Sequence, residues 1–218
     1  MSKTLRRTFA VAPFLLLSFA VAGCPEPPKP VEPKPTLPPP PPPKPKPKCE
    51  KLEEECAAAP STAAKIAETQ FVFTPPEEWI FAQTPDGAIA QVDDKGPVMA
   101  LGSIEATSDA GQARKLREEK VDALLKLVGL VPPGGKKLAL AAKPPDKLEG
   151  TELKAIYWQV DNAKRGTEAG GLLVLAVLAG EREILGVGYA PANDKSGSDA
   201  AIMAALGSLK KKAGSSSK

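Results

Sequence analysis

From Gln70 onward, short apolar runs alternate with turn-forming residues. Phe71-Val72-Phe73 is closed by Pro75-Pro76. Residues 79–84 lead through Pro85-Asp86-Gly87 into residues 88–92, and Asp93-Asp94-Lys95-Gly96 leads into residues 98–106. Short runs joined by such turns predict an antiparallel meander. The period then changes. Leu116, Val121, Leu124, Leu125 and Val128 recur at helical spacing behind a capping Ser108 or Asp109. Arg114, Lys115, Arg117, Glu118, Glu119 and Lys126 fall largely on other faces, and Pro132-Pro133-Gly134-Gly135 stops the pattern. A helix to about Gly129 follows. Four more strands are expected at 137–142, 152–162, 172–179 and 184–190, with turns at Lys164-Arg165-Gly166 and Gly180-Glu181-Arg182. A last helix is expected at 198–211, with Ile202, Leu206 and Leu209 on one face and a basic end that suits its dipole. Residues 68–213 should therefore be an α+β domain, an antiparallel β-sheet flanked by helices. Its two apolar helix stripes should pack on the sheet together, and it should fold without the preceding chain. Residues 214–218 read as a frayed tail.

The N-terminus follows other rules. Lys3, Arg6 and Arg7 precede an apolar run at 8–22 that Pro13 interrupts. The run is short of the ~20 apolar residues that cross a hydrocarbon core, and it has the size and flanks of a signal-peptide h-region. It ends in Val21-Ala22-Gly23-Cys24, which resembles the lipobox of bacterial lipoproteins. That resemblance implies removal of 1–23 and acylation of Cys24, with two or more acyl chains making a stable membrane anchor. The alternative is an ordinary secretory signal with a chance Cys. Arg6-Arg7-Thr8-Phe9 partly resembles a twin-arginine signal, but Leu5 replaces the expected Ser or Thr, which favours general secretion. Pro25 stands where Asp retains enteric lipoproteins at the inner membrane. The enteric rule thus points to the outer membrane of a Gram-negative-type bacterium, facing the periplasm.

Residues 24–48 combine the lipidated Cys with a Pro/Lys/Glu segment that includes six consecutive prolines at 38–43. Proline fixes φ and removes the amide donor, so a disordered polyproline stalk is expected, reaching roughly 75 Å at ~3.1 Å per residue. Its composition resembles the periplasm-spanning part of TonB. Docking of PxxP to an SH3-like partner is a second reading, and a spacer is favoured. Residues 49–67 read as a short helical linker interrupted by Pro60. Cys49 and Cys56 are a candidate disulfide in an oxidising compartment. On a helix, residues seven apart lie about 10 Å from each other, beyond the ~7 Å limit for a bridge. Three outcomes stand open: a local bridge without the helix, put first, pairing between chains, or free thiols. Spacing and count exclude a CxxC redox pair and a four-cysteine zinc site.

Composition narrows the chemistry. The chain has no histidine and a net charge of only +3, with much of the basic excess outside the folded part. The commonest general base is absent, and nucleic acid is not an expected partner. Gly129 to Lys136 superficially resembles a phosphate loop, but Gly135 replaces the Lys, and Pro132 and Pro133 lack amide donors. Asn193-Asp194-Lys195-Ser196-Gly197-Ser198-Asp199 resembles a calcium loop, but Lys195 takes a ligand place and Ala204 the twelfth position, so a loop with a helix cap is favoured. Glu77-Glu78, Asp93-Asp94 and Glu118-Glu119 are adjacent pairs whose side chains diverge into solvent. Tyr157 and Trp158 point to opposite faces of one strand, one toward the core and the other free for docking. No catalytic, cofactor-binding or metal-ligating residue is expected.

Phe71-Val72-Phe73-Thr74-Pro75-Pro76-Glu77-Glu78-Trp79 resembles the opening of PsbP-like and DcrB-like domains. So does the end of the chain, with a Leu185-Gly186-Val187-Gly188-Tyr189-Ala190 strand before a helix closing in Leu206-Gly207-Ser208-Leu209-Lys210. The resemblance implies docking or accessory roles rather than catalysis. The expected function is a lipid-anchored envelope lipoprotein that presents a non-catalytic binding domain to an envelope protein. The alternative is an envelope-spanning stalk protein whose Pro-rich segment is the functional part. A carboxylate-only glycosidase is disfavoured, since no two isolated, well-placed acids stand in loops.

Overall fold

The computed structural model describes residues 48–212; the expected signal peptide, Cys24, nearly all of the stalk and the tail lie outside the described residues. In chain order the strands are β1 (Ala64–Lys65), β2 (Phe71–Phe73), β3 (Ile80–Thr84), β4 (Gly87–Gln91) and β5 (Val98–Glu105). Helix α1 (Ala110–Leu127) follows, then β6 (Leu130–Val131), β7 (Asp146–Lys147), β8 (Lys154–Arg165), β9 (Glu168–Ala179) and β10 (Arg182–Pro191). Helix α2 (Ser198–Gly207) and β11 (Lys210–Lys211) complete the chain. The main sheet has the order β3-β4-β5-β10-β9-β8-β6, with β7 also on β8, and a small sheet has the order β1-β2-β11. Every pairing is antiparallel among the described residues. The fold is α+β, with antiparallel sheets and two helices.

Alternation along the strands divides the core in two. Val98 and Ala100 of β5 face Val121, Leu124, Leu125 and Val128 on the α1 side. Met99 and Leu101 face the other way, toward Ile202, Leu206, Leu209 and Phe73. The main sheet is thus covered on both faces, which is why β4 and the middle of β10 are buried at every position. The two helices do not share a core as expected: α1 lies on one face and α2 with the small sheet on the other. Leu116 is only half-buried, and Ala113 takes its place among the buried residues of α1.

Residues 49–67 depart furthest from expectation. They hold no α-helix, only a 3-10 turn at Glu54–Cys56 and the short β1. Cys49 and Cys56 are disulfide-bonded with their Cα atoms 5.5 Å apart. Two turns of helix would hold those atoms at about twice that distance, so bridge and helix exclude one another. This segment is not a linker. Cys49, Cys56, Ala58, Ala64 and Ile66 are buried in the α2-side core. The folded part therefore includes residues 49–67 and does not start at 68. The segment also runs along the outer edge of β3: the Gln83 amide donates to the Cys49 carbonyl, and Ala57 bridges to Ile80. It covers hydrogen-bonding groups that would otherwise stand open on an edge strand.

Three further boundaries differ. Phe71–Phe73 leaves the meander and pairs with β1 and β11 instead. No strand forms at 137–142. Leu140 is buried on the α1 side, and the segment is tied down by side chains: the Leu140 amide donates to Glu118 Oε1 at 3.0 Å, and Trp158 Nε1 to the Ala141 carbonyl at 3.1 Å. Helix α2 ends at Gly207, where a Cβ would sit 2.4 Å from the Glu149 carbonyl oxygen. Burying Leu209 then carries the chain into β11, so Lys210 and Lys211 form strand pairs with β2 rather than a basic helix end.

Candidate functional site

The residues singled out in the sequence separate into distinct places. Cys24 lies outside the described residues. Gly129, Gly134 and Gly135 all have positive φ, and nothing lies within 4 Å of where a Cβ would stand, so they make an open turn rather than a cradle. In the calcium-like loop, Asp194 serves the backbone instead. Its carboxylate accepts from the Ser196 and Ser198 amides, at 3.0 Å each, and from the Ser196 hydroxyl, which lowers its pKa to about 2. It caps the entry to α2. Among the described residues no cluster of three or more His, Cys, Asp or Glu is placed to hold a metal ion.

The acidic pairs take different fates. Asp93 accepts from the Lys95 and Gly96 amides, which hold its carboxyl below the usual range. Glu118 accepts from Arg114 and the Leu140 amide, with the same consequence. Glu77 and Glu78 stand exposed side by side. Trp158 is the core aromatic of its strand. Tyr157 is half-buried on the opposite face, and burial pushes its phenol pKa up.

A surface groove lies between α2 and the turn after β2. It has a volume of about 860 Å³ and is walled by Pro75, Pro76, Glu77, Glu78 and Trp79 on one side. Ala201, Ala204, Ala205 and Ser208 of α2 form the other side, and Val92, 45% exposed, also lines it. Small residues on α2 keep the groove open. The Pro turn is pinned to both neighbours: the Thr74 amide donates to Ser208 Oγ at 2.7 Å, and Ala58 exchanges hydrogen bonds with Glu78 and Trp79. Those bonds hold Glu78 at φ 66°, a left-handed conformation that costs a non-glycine residue about 1–2 kcal/mol. Trp79 is only 7% exposed, yet its indole N–H has no acceptor among the described residues and is not sealed from solvent. The other tryptophan, Trp158, has its acceptor within the fold.

Two ion and hydrogen-bond clamps escaped sequence reasoning because their partners are remote in the chain. Arg165, expected as a turn residue, is 5% exposed. It donates to the Asp93 and Gly96 carbonyls and to Gln91 Oε1, at 2.6–2.8 Å. A β-bulge between Val160 and Ala163 bends the β8–β9 hairpin and so brings Arg165 to that turn. Buried Glu183 pairs with Arg117 of α1 at 2.7 Å and fixes the helix to β10.

No protein-family profile matches the chain, and no curated protein does. Among solved structures, a crystal structure of a protein from Bacteroides thetaiotaomicron VPI-5482 is similar at 10% identity and a TM-score of 0.43. The match covers 70% of this chain and 50% of that one, so the chain spans about half the length of the protein it matches.

Proposed function

We propose that this chain is an exported lipoprotein, anchored in the cell envelope through acylated Cys24, whose residues 49–212 serve as a non-catalytic binding or accessory domain. The Pro-rich segment holds that domain away from the membrane, on the periplasmic side and at the outer membrane. A PsbP- or DcrB-like fold is the finer structural reading, and the Phe71-to-Trp79 stretch supports it by supplying β2 and one wall of the groove.

The observation that carries export is the Cys49–Cys56 bridge. Both half-cystines are buried within the fold, and disulfides of this kind persist in oxidising compartments such as the periplasm. The groove beside α2 supplies a surface for binding. Metabolic labelling with a clickable fatty acid tests the anchor. Cys24→Ser should lose all label and either block processing or release the domain from the membrane fraction. Retained label in that variant would refute the anchor. Deleting residues 25–48 should leave capture of an envelope partner in vitro intact, because the groove belongs to the domain.

A further inference from the structure

We propose that the groove between α2 and the Pro75–Trp79 turn receives the Pro/Lys segment of a second copy of this chain, residues 33–48. The inference deepens the binding role proposed above by naming the partner. Failure of the tests below leaves the acyl-labelling test of the anchor unaffected.

Three observations converge on the groove. Its walls are an aromatic ring, two prolines and small helix residues, a lining suited to polyproline II ligands, which present ridges of pyrrolidine rings. Trp79 offers an indole N–H without an acceptor among the described residues, although the ring is more than nine-tenths buried. A polyproline II chain makes no internal hydrogen bonds, so each of its carbonyls is free to accept one. Glu77 and Glu78 stand exposed on the rim, neither of them in an ion pair among the described residues, and Glu78 is held in a strained conformation beside the ring.

Charge identifies the occupant. Of 29 basic and 26 acidic residues in the chain, 20 and 24 fall within 49–212, leaving that part at −4. Residues 33–48 carry four lysines, ten prolines and no acid. The chain thus contains a cationic polyproline sequence and an acidic groove of matching chemistry. The second copy is favoured over the same chain by chain direction. Residues 49–58 run along β3 from Gln83, which bonds Cys49, to Trp79, which bonds Ala58, so the segment before Cys49 joins its own domain about 13 Å from the ring, at the end of β3 remote from the groove. The segment of a neighbouring copy is free of that attachment.

Two measurements test this. In the first, a dye-labelled synthetic peptide of residues 33–48 is titrated with the full chain while the fluorescence anisotropy of the dye is read. Saturable binding is expected, weakening as salt screens Glu77 and Glu78. Trp79→Phe, which keeps a ring but removes the donor, should weaken it about three- to tenfold, the worth of one hydrogen bond. The double change Glu77→Gln and Glu78→Gln alters only exposed groups and should flatten the salt dependence with the thermal midpoint unchanged. Binding that ignores both variants, or no binding, overturns the proposal.

In the second, two forms of the acylated chain share a vesicle. One lacks residues 33–48, and the other carries a photoreactive residue at position 37. A cross-link from that residue to the groove of the shortened copy supports the proposal. Cross-links confined to one chain, or retained at full yield when the shortened copy carries the Glu77→Gln and Glu78→Gln changes, overturn it.

Discussion

Asp194 shows how one side chain fixes the start of an element. The helix it caps has Gly197 in the capping position, which offers no side chain, so the carboxylate three residues earlier accepts from the first amide of the helix, that of Ser198. Replacing it with Ala should cost about 1 kcal/mol at neutral pH. The pH dependence has a fixed sign. The unfolded carboxyl titrates near 3.8 and the folded one near 2, so its stabilisation is complete above the higher value and fades as pH falls through the lower. Denaturant titrations should therefore show the gap between the native chain and Asp194→Ala closing over that window. A constant gap would mean that packing, not the carboxylate hydrogen bonds, sets its contribution. Arg165 makes the complementary point. A residue that the sequence marks as part of a solvated turn becomes buried because a bulge two residues upstream redirects the hairpin.

At the scale of elements, α1 follows its sequence pattern and α2 does so only in part. Asp109 caps α1 by accepting from the Gln112 amide at 2.6 Å, and Gly129, at φ 68°, follows the last turn. Val121, Leu124 and Leu125 are buried as the stripe requires. Leu125→Ala should cost about 2–5 kcal/mol. Glu119 is exposed and paired with Lys115 only at 4.0 Å, so Glu119→Ala should stay within about 0.5 kcal/mol. Equal effects in thermal denaturation would remove α1 from the core. The apolar residues of α2 look in the same way toward a sheet, but the sheet's opposite face receives them. Periodicity specifies that a stripe is buried; it carries no information about which face of a two-sided sheet buries it.

For the whole molecule, the disulfide segment belongs to the fold rather than leading to it. A fragment of 49–212 should unfold in one cooperative transition. A fragment starting at residue 68 loses the bridge, the cover on β3 and the fully buried Ile66, whose loss alone compares with a core truncation of about 2–5 kcal/mol. Its denaturation midpoint should fall steeply or the fragment should aggregate through the bare edge. Similar midpoints for both fragments would return residues 49–67 to the status of a linker.

The features legible along the chain were local. Turn residues between short apolar runs set β3, β4 and β5, and a 3.6-residue stripe with an acidic cap set α1. The long strands β8, β9 and β10 followed from β-rich runs bounded by glycine turns. These depend on neighbours within a few positions, so the chain states them directly. The tertiary structure alone decided the rest. It set the transfer of Phe71–Phe73 to a second sheet, the burial of Cys49 and Cys56, the placement of α1 and α2 on opposite faces, and the Arg165 and Glu183 clamps. The groove belongs to this second class. Trp79 and the prolines were visible as residues, but their wall exists only because α2, more than a hundred positions later, packs beside them with alanines where larger side chains would fill the space.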